Sequence, residues 1–453
     1  MRKSVVIPII IVIVIIAVVA AVLNWPRGPE EEVPEWILVG VPAPQTGMYG
    51  GFGVGGVWGM QAAVEDINAL GGVHVAEYNA TIPLKLVVRN TESDETKAGS
   101  IAESLILTDK VHFLAYGDQP PPMSAAIATK AQTHKIPYIC TTGPSEPWLG
   151  QRAAAPGHWS YTWAAGLFAI ENPGDRPTDG YTIADTWLAM LDLHGNETNK
   201  VAGVFASDDS DGVGWHGLFP GILEDWGCTV VAKEAAKSLL PMDTTDFSSL
   251  INEWVTNNVS IIWGNAPAPF VKTLLEQAWA TEGFEPKLIS IGRAPLFYED
   301  VSSWTGNVPL GVLVEIWWDP AWGQSAGVSA PGIGNTTAES LAARWIAAKA
   351  SPVNRSIGAG YSLIQVLIDA VQRAGTLDAD EVCAALEDTN LMTIRHRVAF
   401  DDDQFSRGPL VYGQWQWDEE EEDWVCPIVL SKHTFIPETG EVLFPIPSEP
   451  WTR

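Results

Sequence analysis

The chain has 453 residues, 46% of them hydrophobic, which is enough to bury the cores of two ordinary domains. It carries 26 lysines and arginines against 55 aspartates and glutamates, a formal net charge of -29. This acidity excludes nucleic acid as a partner, because phosphate binding requires a basic surface, and an anionic membrane surface would repel the chain.

The first 24 residues predict a signal peptide or a membrane anchor. Arg2 and Lys3 precede an apolar run over residues 5–23, and a membrane-spanning helix needs roughly 20 such residues. The basic end should stay in the cytoplasm, so we expect the rest of the chain to be exported. Cleavage and retention of the segment both remain open. Residues 25–35, rich in Pro and Glu, predict a short acidic linker.

From residue 36 the sequence alternates between buried strands and helices. WILVGVPAP predicts a strand, and VWGMQAAVEDINALGG predicts a helix that stops at Gly71 and Gly72. LKLVVRNT, VHFLAYG and IPYICTT predict three further strands with helices between them. This order is typical of an open parallel sheet with helices on both faces.

The same alternation returns over residues 182–293, after a stretch rich in Trp, Gly and Pro. KVAGVFASDD, CTVVAKEAAKS, VSIIWGNA and PKLISIGR predict strands, again separated by helices. The sequence therefore predicts an α/β fold with two doubly wound parallel-sheet lobes. A long helical stretch and a β-rich tail, VYGQWQW, follow the second lobe and are left to complete the two lobes.

Gly51, Gly53 and Gly56 form the spacing G-x-G-x-x-G, which in dinucleotide-binding folds cradles a pyrophosphate. Such a motif should follow its strand directly and have an acidic residue at the end of the next strand, where this chain has Arg89 and Asn90. An NAD-dependent enzyme is therefore only a remote alternative, and no cofactor is expected. We interpret the glycines as a flexible strand-to-helix loop with room for a ligand.

No pattern typical of catalysis or metal binding is present. The eight histidines include no H-E-x-x-H spacing, and G-x-S-x-G is absent, so we predict a protein that is not an enzyme and has no catalytic or metal-binding residues. The four cysteines form no C-x-x-C pair. A disulfide between Cys383 and Cys426 and four buried thiols remain equal alternatives.

The segment ILVGVPAPQTGMYGGFGVGGVWGMQAAVEDINALGGV resembles the opening of the extracytoplasmic solute-binding proteins of branched-chain amino acid type ABC importers, which are leucine-binding-protein-like. There a strand leads to P-x-T-G, a glycine-containing loop and a helix ending D-I-N-x-x-G-G-[IV]. The resemblance continues through IPYICTTGPSEPWL, KVAGVFASDDSDGVGWHG and GPLVYGQWQW. It implies a type I periplasmic-binding fold, in which two lobes joined by three crossovers hold a ligand between them. We expect residues 36–157 and 319–398 in lobe 1 and residues 158–318 and 399–453 in lobe 2.

The resemblance also implies the ligand contacts. In the family, a hydroxyl and backbone N–H groups of two first-lobe loops hold an α-carboxylate; the corresponding loops here are YGDQPPPMS and TTGPSEP. Three consecutive prolines remove backbone donors from the first loop. Ser145 has the alternative role of capping the next helix. The predicted first-lobe contacts are Tyr49, Gln119, Thr142, Gly143 and Ser145.

Asp211, Trp215, Asn265 and Arg293 are the predicted second-lobe contacts. Arg293 stands where amino-acid binders of the family place a carboxylate for the ligand's ammonium group. If it faces the cleft it favours an organic anion, unless Asp209 or Asp211 supplies the missing negative charge. Alternatively, Arg293 is a solvated or salt-bridged surface residue.

The resemblance implies a binding protein that closes on a small solute, an amino acid or an organic anion, and delivers it to an ABC permease and ATPase. A ligand-sensing receptor subunit with the same fold is the alternative. Because residues 1–4 leave no room for a cytoplasmic domain, such a receptor would need a partner chain.

Overall fold

The computed structural model describes residues 32–119, 121–170, 179–327, 329–349 and 351–447. The predicted N-terminal membrane segment and most of the acidic linker lie outside these ranges. Among the helices that are described, none combines the length and the apolar character needed to cross a membrane.

The strands are numbered β1 to β20 in chain order. Their bounds are Ile37–Ala43, Val73–Val75, Ala80–Ile82, Leu84–Asn90, Phe113–Gln119, Tyr138–Thr142, Thr162–Gly166, Val201–Ser207, Thr229–Val231, Leu239–Leu240, Ile261–Asn265, Leu288–Gly292, Val312–Ile316, Asn390–Met392, Arg397–Ala399, Phe405–Arg407, Val411–Gln414, Gln416–Asp418, Asp423–Val425 and Ile428–Leu430.

The α-helices of the described ranges are numbered α1 to α13. Their bounds are Gly50–Ala69, Glu95–Leu107, Pro121–His134, Glu146–Ala154, Ile183–His194, Ser210–Trp226, Ala235–Ser238, Ser248–Thr256, Ala268–Trp279, Tyr298–Val301, Ala338–Lys349, Ser356–Ala374 and Ala379–Glu387.

Two large sheets carry the fold. The first has the order β16-β7-β6-β5-β1-β4, with every neighbouring pair parallel. The second has the order β10-β8-β11-β12-β13-β17-β20, with β9 beside β8. It is parallel as far as β13, and β17 and β20 continue it antiparallel. The sequence did not predict this antiparallel edge.

Two strands correct the predicted lobe boundaries. Both β7 and β16 lie in the first sheet, although residues 158–318 and 399–453 were expected in lobe 2. The chain therefore completes the first sheet with β7 before it enters the second. It returns once more as β16, which forms the edge of the first sheet by pairing with β7. Short edge strands of this kind carry too few residues for their sheet to be read from periodicity.

Helices cover both faces of the first sheet. On β5, Phe113 and Ala115 belong to a core with α1 and α12, whereas Leu114, between them, belongs to a core with α2 and α3. This follows from the alternation of side chains along a strand, and it explains why these strands are apolar throughout. A third core lies around the second sheet. All four cysteines are free thiols, so the structure contains no Cys383–Cys426 disulfide.

The glycine motif lies inside a helix, which corrects its interpretation as a flexible loop. Helix α1 begins at Gly50 and runs through the motif. A Cβ atom on Gly53 would lie 2.1 Å from the carbonyl oxygen of Pro44, and one on Gly56 would lie 3.1 Å from that of Gly117. Both glycines therefore face the protein backbone, where a pyrophosphate has no room.

The neighbouring glycines allow α1 to pack directly on α12. A Cβ atom on Gly59 would lie 2.0 Å from the carbonyl oxygen of Ile357, and one on Gly360 would lie 2.1 Å from that of Gly56. Backbone cannot give way as a flexible side chain can, so any larger residue separates the helices.

We expect Gly59→Ala to destabilise the fold by about 1–3 kcal/mol, because the new methyl group overpacks the α1–α12 contact. Gly217→Ala in α6 is the matched control, because its added Cβ would meet no described atom within 4 Å beyond the adjacent backbone of its own helix. Alanine there should stabilise the helix by about 1 kcal/mol. Urea unfolding followed by circular dichroism measures both changes. Equal effects of the two substitutions would contradict the role given to Gly59.

Candidate functional site: a charged cavity between the two sheets

A cavity lies where strands of both sheets end. It offers about 80 Å³ to the centres of water-sized molecules. Since one water takes roughly 10–15 Å³ on this measure, the space suits a solute with on the order of ten non-hydrogen atoms. Crevices at the carboxyl ends of parallel strands are the usual ligand sites of such folds. Its lining residues are Tyr49, Phe52, Asp118, Pro121, Thr142, Gly143, Pro144, Leu167, Ile183, Ser210, Asp211, Trp215, Asn265, Arg293, Leu296, Glu315, Trp317 and Arg395.

Most of the residues predicted to contact a ligand line this cavity. Seven of them do so: Tyr49, Thr142, Gly143, Asp211, Trp215, Asn265 and Arg293. Thr142 is the last residue of β6, and Gly143 comes directly after it. Asn265 ends β11, and Arg293 comes directly after β12. Loops and strand ends from distant parts of the chain therefore meet here because parallel strands end at the same edge of a sheet.

Two predicted contacts are not found in the cavity lining. Ser145 is fully buried, and its hydroxyl lies in hydrogen-bond range of the carbonyl oxygens of Thr142, at 3.1 Å, and Leu167, at 2.8 Å. It joins two chain segments behind the cavity, and it does not cap α4 with its side chain. Gln119 ends β5 and pairs with Thr142, but its side chain lies outside the described part of the structure.

Asp209 fixes the start of α6 in the wall of the cavity that the second sheet forms. As the N-cap of α6, it accepts hydrogen bonds from the backbone N–H groups of Asp211 and Gly212, each at 3.0 Å. The hydroxyl of Ser207 donates to its other oxygen at 2.8 Å. Two of the free donors at the start of this helix are thereby satisfied.

Arg293 is salt-bridged, but within the cavity wall, where its side chain is only 9% exposed. It donates to both carboxylate oxygens of Asp209, each at 3.0 Å, and lies 3.4 Å from Asp211; it also contacts the Ser207 hydroxyl. Its backbone is in the left-handed region, with φ of 68°. The guanidinium is thus neutralised by the protein's own carboxylates.

The carboxyl groups around Arg293 differ in their affinity for protons. Burial alone would raise the pKa of Asp209, but hydrogen bonds and the charge of Arg293 outweigh it and hold the pKa below its usual value. Burial raises the pKa of Asp211 despite Arg293. Burial also raises the pKa of Glu315 to about 7. One arginine therefore faces three carboxyl groups, and burial raises the pKa of two of them, Asp211 and Glu315.

Glu315 leaves one oxygen without a partner. The residue is 5% exposed, and its Oε1 accepts a long hydrogen bond, 3.4 Å, from the backbone N–H of Arg293. Within the described ranges, its Oε2 is buried and has no hydrogen-bond partner. Such an atom is costly to bury, and a donor on a bound ligand would satisfy it.

Asp118 and Arg395 form the opposite wall. The carboxylate of Asp118 accepts hydrogen bonds from Thr141 Oγ1 at 2.9 Å and from Trp317 Nε1 at 2.8 Å. Arg395 donates from Nε to the carbonyl oxygen of Trp317 at 3.2 Å. Burial lowers the pKa of Arg395, and the charge of Asp118 opposes that effect.

Aromatic side chains close the cavity between the charged walls. Phe52 of α1 packs edge-on against Phe297, with ring centroids 4.7 Å apart, and lies nearly parallel to Trp317 at 6.0 Å. Trp215 stacks on Phe219 at 4.1 Å. With its amide nitrogen turned toward Asp211, Asn265 also accepts from Trp215 Nε1 at 2.8 Å.

Five further residues of the lining were not predicted from the sequence: Phe52, Asp118, Glu315, Trp317 and Arg395. Asp118 stands beside Gln119 at the end of a strand. Because ligands usually bind at the carboxyl ends of parallel strands, Asp118 could have been predicted as a contact from the sequence. Glu315 is the one acid in the apolar run VLVEIWW, which is an anomaly that a sequence shows. Arg395 has no local signal. In the described part of the chain, no group of three or more potential ligands could hold a metal ion.

The fold is shared with solved structures of binding proteins. A leucine-binding protein from Thermotoga maritima MSB8 matches with a TM-score of 0.65 at 18% identity, covering 87% of this chain and 99% of its own. The branched-chain amino acid transporter substrate-binding protein LivJ from Streptococcus pneumoniae, in complex with isoleucine, matches with a TM-score of 0.66 at 16% identity over 90% of this chain and 100% of its own. A solute-binding protein of an ABC transporter from Rhodopseudomonas palustris BisB5, in complex with 3,4-dihydroxybenzoic acid, matches with a TM-score of 0.62 at 16% identity over 90% and 99%.

The sequence matches one protein-family model, described as periplasmic binding protein, over residues 37–418. This range contains every strand of the two large sheets except β20, and every residue that lines the cavity. The chain therefore belongs to the periplasmic binding protein family.

Proposed function

We propose that the protein binds a small solute outside the cytoplasm, in the cavity between its two sheets, and delivers it to an ABC importer. The main support for this proposal is the cavity itself, because charged, polar and aromatic groups from both sheets converge on a space of small-molecule size. Membership of the family supports the extracytoplasmic location. The predicted N-terminal segment would hold the protein at the membrane beside its permease.

The solute class is an amino acid or an aromatic or other organic acid. Similar proteins have been solved with isoleucine and with 3,4-dihydroxybenzoic acid, and both compounds have the size of this cavity. Among the described residues, Arg293 is the cation paired with the acids of that wall, so Asp211 and Glu315 remain available to an ammonium or hydroxyl group. Phe52 and Trp317 would contact the apolar part of the solute.

A thermal-shift screen of the full chain in detergent tests the binding step. The compounds are leucine, isoleucine, 4-hydroxybenzoate, 3,4-dihydroxybenzoate and glucose. A ligand at 100 times its Kd adds about 2.7 kcal/mol of stability, so we expect at least one of them to raise the melting temperature by a few degrees. T142W, which fills the cavity, should abolish the shift. If no compound shifts the wild type, or if the shift persists in T142W, the cavity is not the solute site.

A further inference from the structure

Arg395 is a cationic side chain of the cavity with an N–H donor that no described residue accepts from. It is 2% exposed and lines the cavity, and its Nη1 has no hydrogen-bond partner among the residues that the structure describes. A guanidinium nitrogen that is buried without an acceptor is costly unless a ligand supplies one.

The other sources of positive charge in the cavity are occupied or weakened. Arg293 already binds Asp209 and Asp211. The N-terminus of α6 is capped by Asp209. The N-terminus of α3 begins with Pro121 and Pro122, which have no N–H to offer an anion. An anionic group that enters the cavity therefore finds its strongest free partner at Arg395.

The backbone around Arg395 is held in place by side chains of α12. The residue lies in the turn between β14 and β15, where Thr393 Oγ1 donates to the carbonyl oxygen of His396 at 2.8 Å and Ser362 donates to the Thr393 hydroxyl at 2.8 Å. Gln365 accepts from the backbone N–H of Ile394 at 2.8 Å. This support fixes the turn before a ligand arrives, as a preorganised binding group requires.

Asp118 does not use the free nitrogen of Arg395. Its two oxygens accept from Thr141 and Trp317, and its carboxylate influences Arg395 only through space. The carboxylate also adds negative charge beside the arginine. An incoming anion must therefore bind Arg395 directly, through a charge-assisted hydrogen bond, to overcome that repulsion.

We propose that Arg395 binds the carboxylate of the transported solute and selects carboxylic acids over their neutral amides. The inference rests on the proposed function and deepens it by naming the group that the cavity recognises. It moves the anion-binding role away from Arg293, the arginine that the sequence singled out, and away from the helix N-termini.

The test measures Kd by calorimetry with the full chain, for two pairs of probes that differ in one group: leucine against leucinamide, and 4-hydroxybenzoate against 4-hydroxybenzamide. In the wild type we expect at least one acid to bind about 10- to 100-fold more tightly than its amide, the range of a hydrogen bond to a charged group. In R395M this preference should disappear through loss of acid binding, while amide binding changes less than about threefold. R395K keeps the positive charge but lacks the planar guanidinium, which can donate two parallel hydrogen bonds to a carboxylate. It should therefore retain a smaller preference for the acid over its amide.

R355M is the matched control, because Arg355 is also buried, at 7% exposed, but lines a different cavity. It should keep the full preference, and melting curves without ligand show whether each variant is folded. Since R395K retains a buried cation, it remains informative if R395M fails to fold. An unchanged preference in the folded Arg395 variants overturns the inference. A wild type that binds an amide but not its acid also overturns the inference and leaves the proposed function standing. If no probe binds the wild type, the proposed function fails, and the inference fails with it.

Discussion

Replacement of Arg293 by methionine is expected to destabilise the protein by about 3–5 kcal/mol, the usual cost of removing one partner from a buried ion pair. The guanidinium lies within 3.4 Å of both Asp209 and Asp211, and Glu315 accepts from its backbone. Without it, these three carboxyl groups lie in the cavity wall with no other cation paired to them among the described residues. The pKa of Asp209, which Arg293 holds low against the effect of burial, should then rise.

Urea unfolding at pH 8 measures the loss, and two controls define its cause. Arg89→Met removes an exposed ion pair with Asp109, in which the arginine is 43% exposed, and should cost at most about 1 kcal/mol. Adding Asp211→Asn to Arg293→Met should recover part of the stability, because one buried negative charge is removed. The loss should also shrink at pH 5, where the remaining carboxyl groups bind protons more readily. A loss no larger than that of Arg89→Met would show that Arg293 does not hold the wall together.

The second large effect is a decline of stability with rising pH, caused by Glu315. Burial raises its pKa from 4.5 to about 7 in the folded protein, so the folded state binds this proton more tightly than the unfolded chain does. Its contribution is fully present below pH 4.5, falls as the pH rises toward 7, and is constant above that. At 1.36 kcal/mol per pKa unit, the decline amounts to about 3 kcal/mol.

Glu315→Gln should remove this decline, because glutamine keeps the shape and carries no charge to bury. Unfolding free energies at intervals between pH 4.5 and 8 measure the slope. Asp300 serves as a comparison, because burial and the charge of Glu299 also raise its pKa to about 7. Glu315→Gln is therefore expected to leave a residual slope, which Asp300→Asn should reduce. An unaltered slope in Glu315→Gln would assign the titration to other groups.

The alternation of strands and helices was predictable from the sequence because it depends on neighbours in the chain. Apolar runs and helical periodicity are local patterns, and they indicated most of the parallel strands of both sheets. The same reasoning placed Thr142, Asn265 and Arg293 at strand ends, and all three line the cavity. The helix starts were less accurate: α1 begins at Gly50, because the contact with α12 stabilises a glycine run that has low helix propensity.

What each cavity residue does was decided by the tertiary structure. The sequence left open whether Arg293 faces the cleft or is a solvated or salt-bridged surface residue; in the fold it lines the cavity and is neutralised by Asp209, which lies 84 residues away in the chain. Arg395 and Glu315 lie in different segments, one in a tight turn and one inside a strand, and only the fold brings both to the same cavity. The sequence by itself determined the α/β architecture and the edge of the sheets where a ligand would bind. Which charges remain available there depends on distances between remote segments, and hydrophobic periodicity carries no information about those distances.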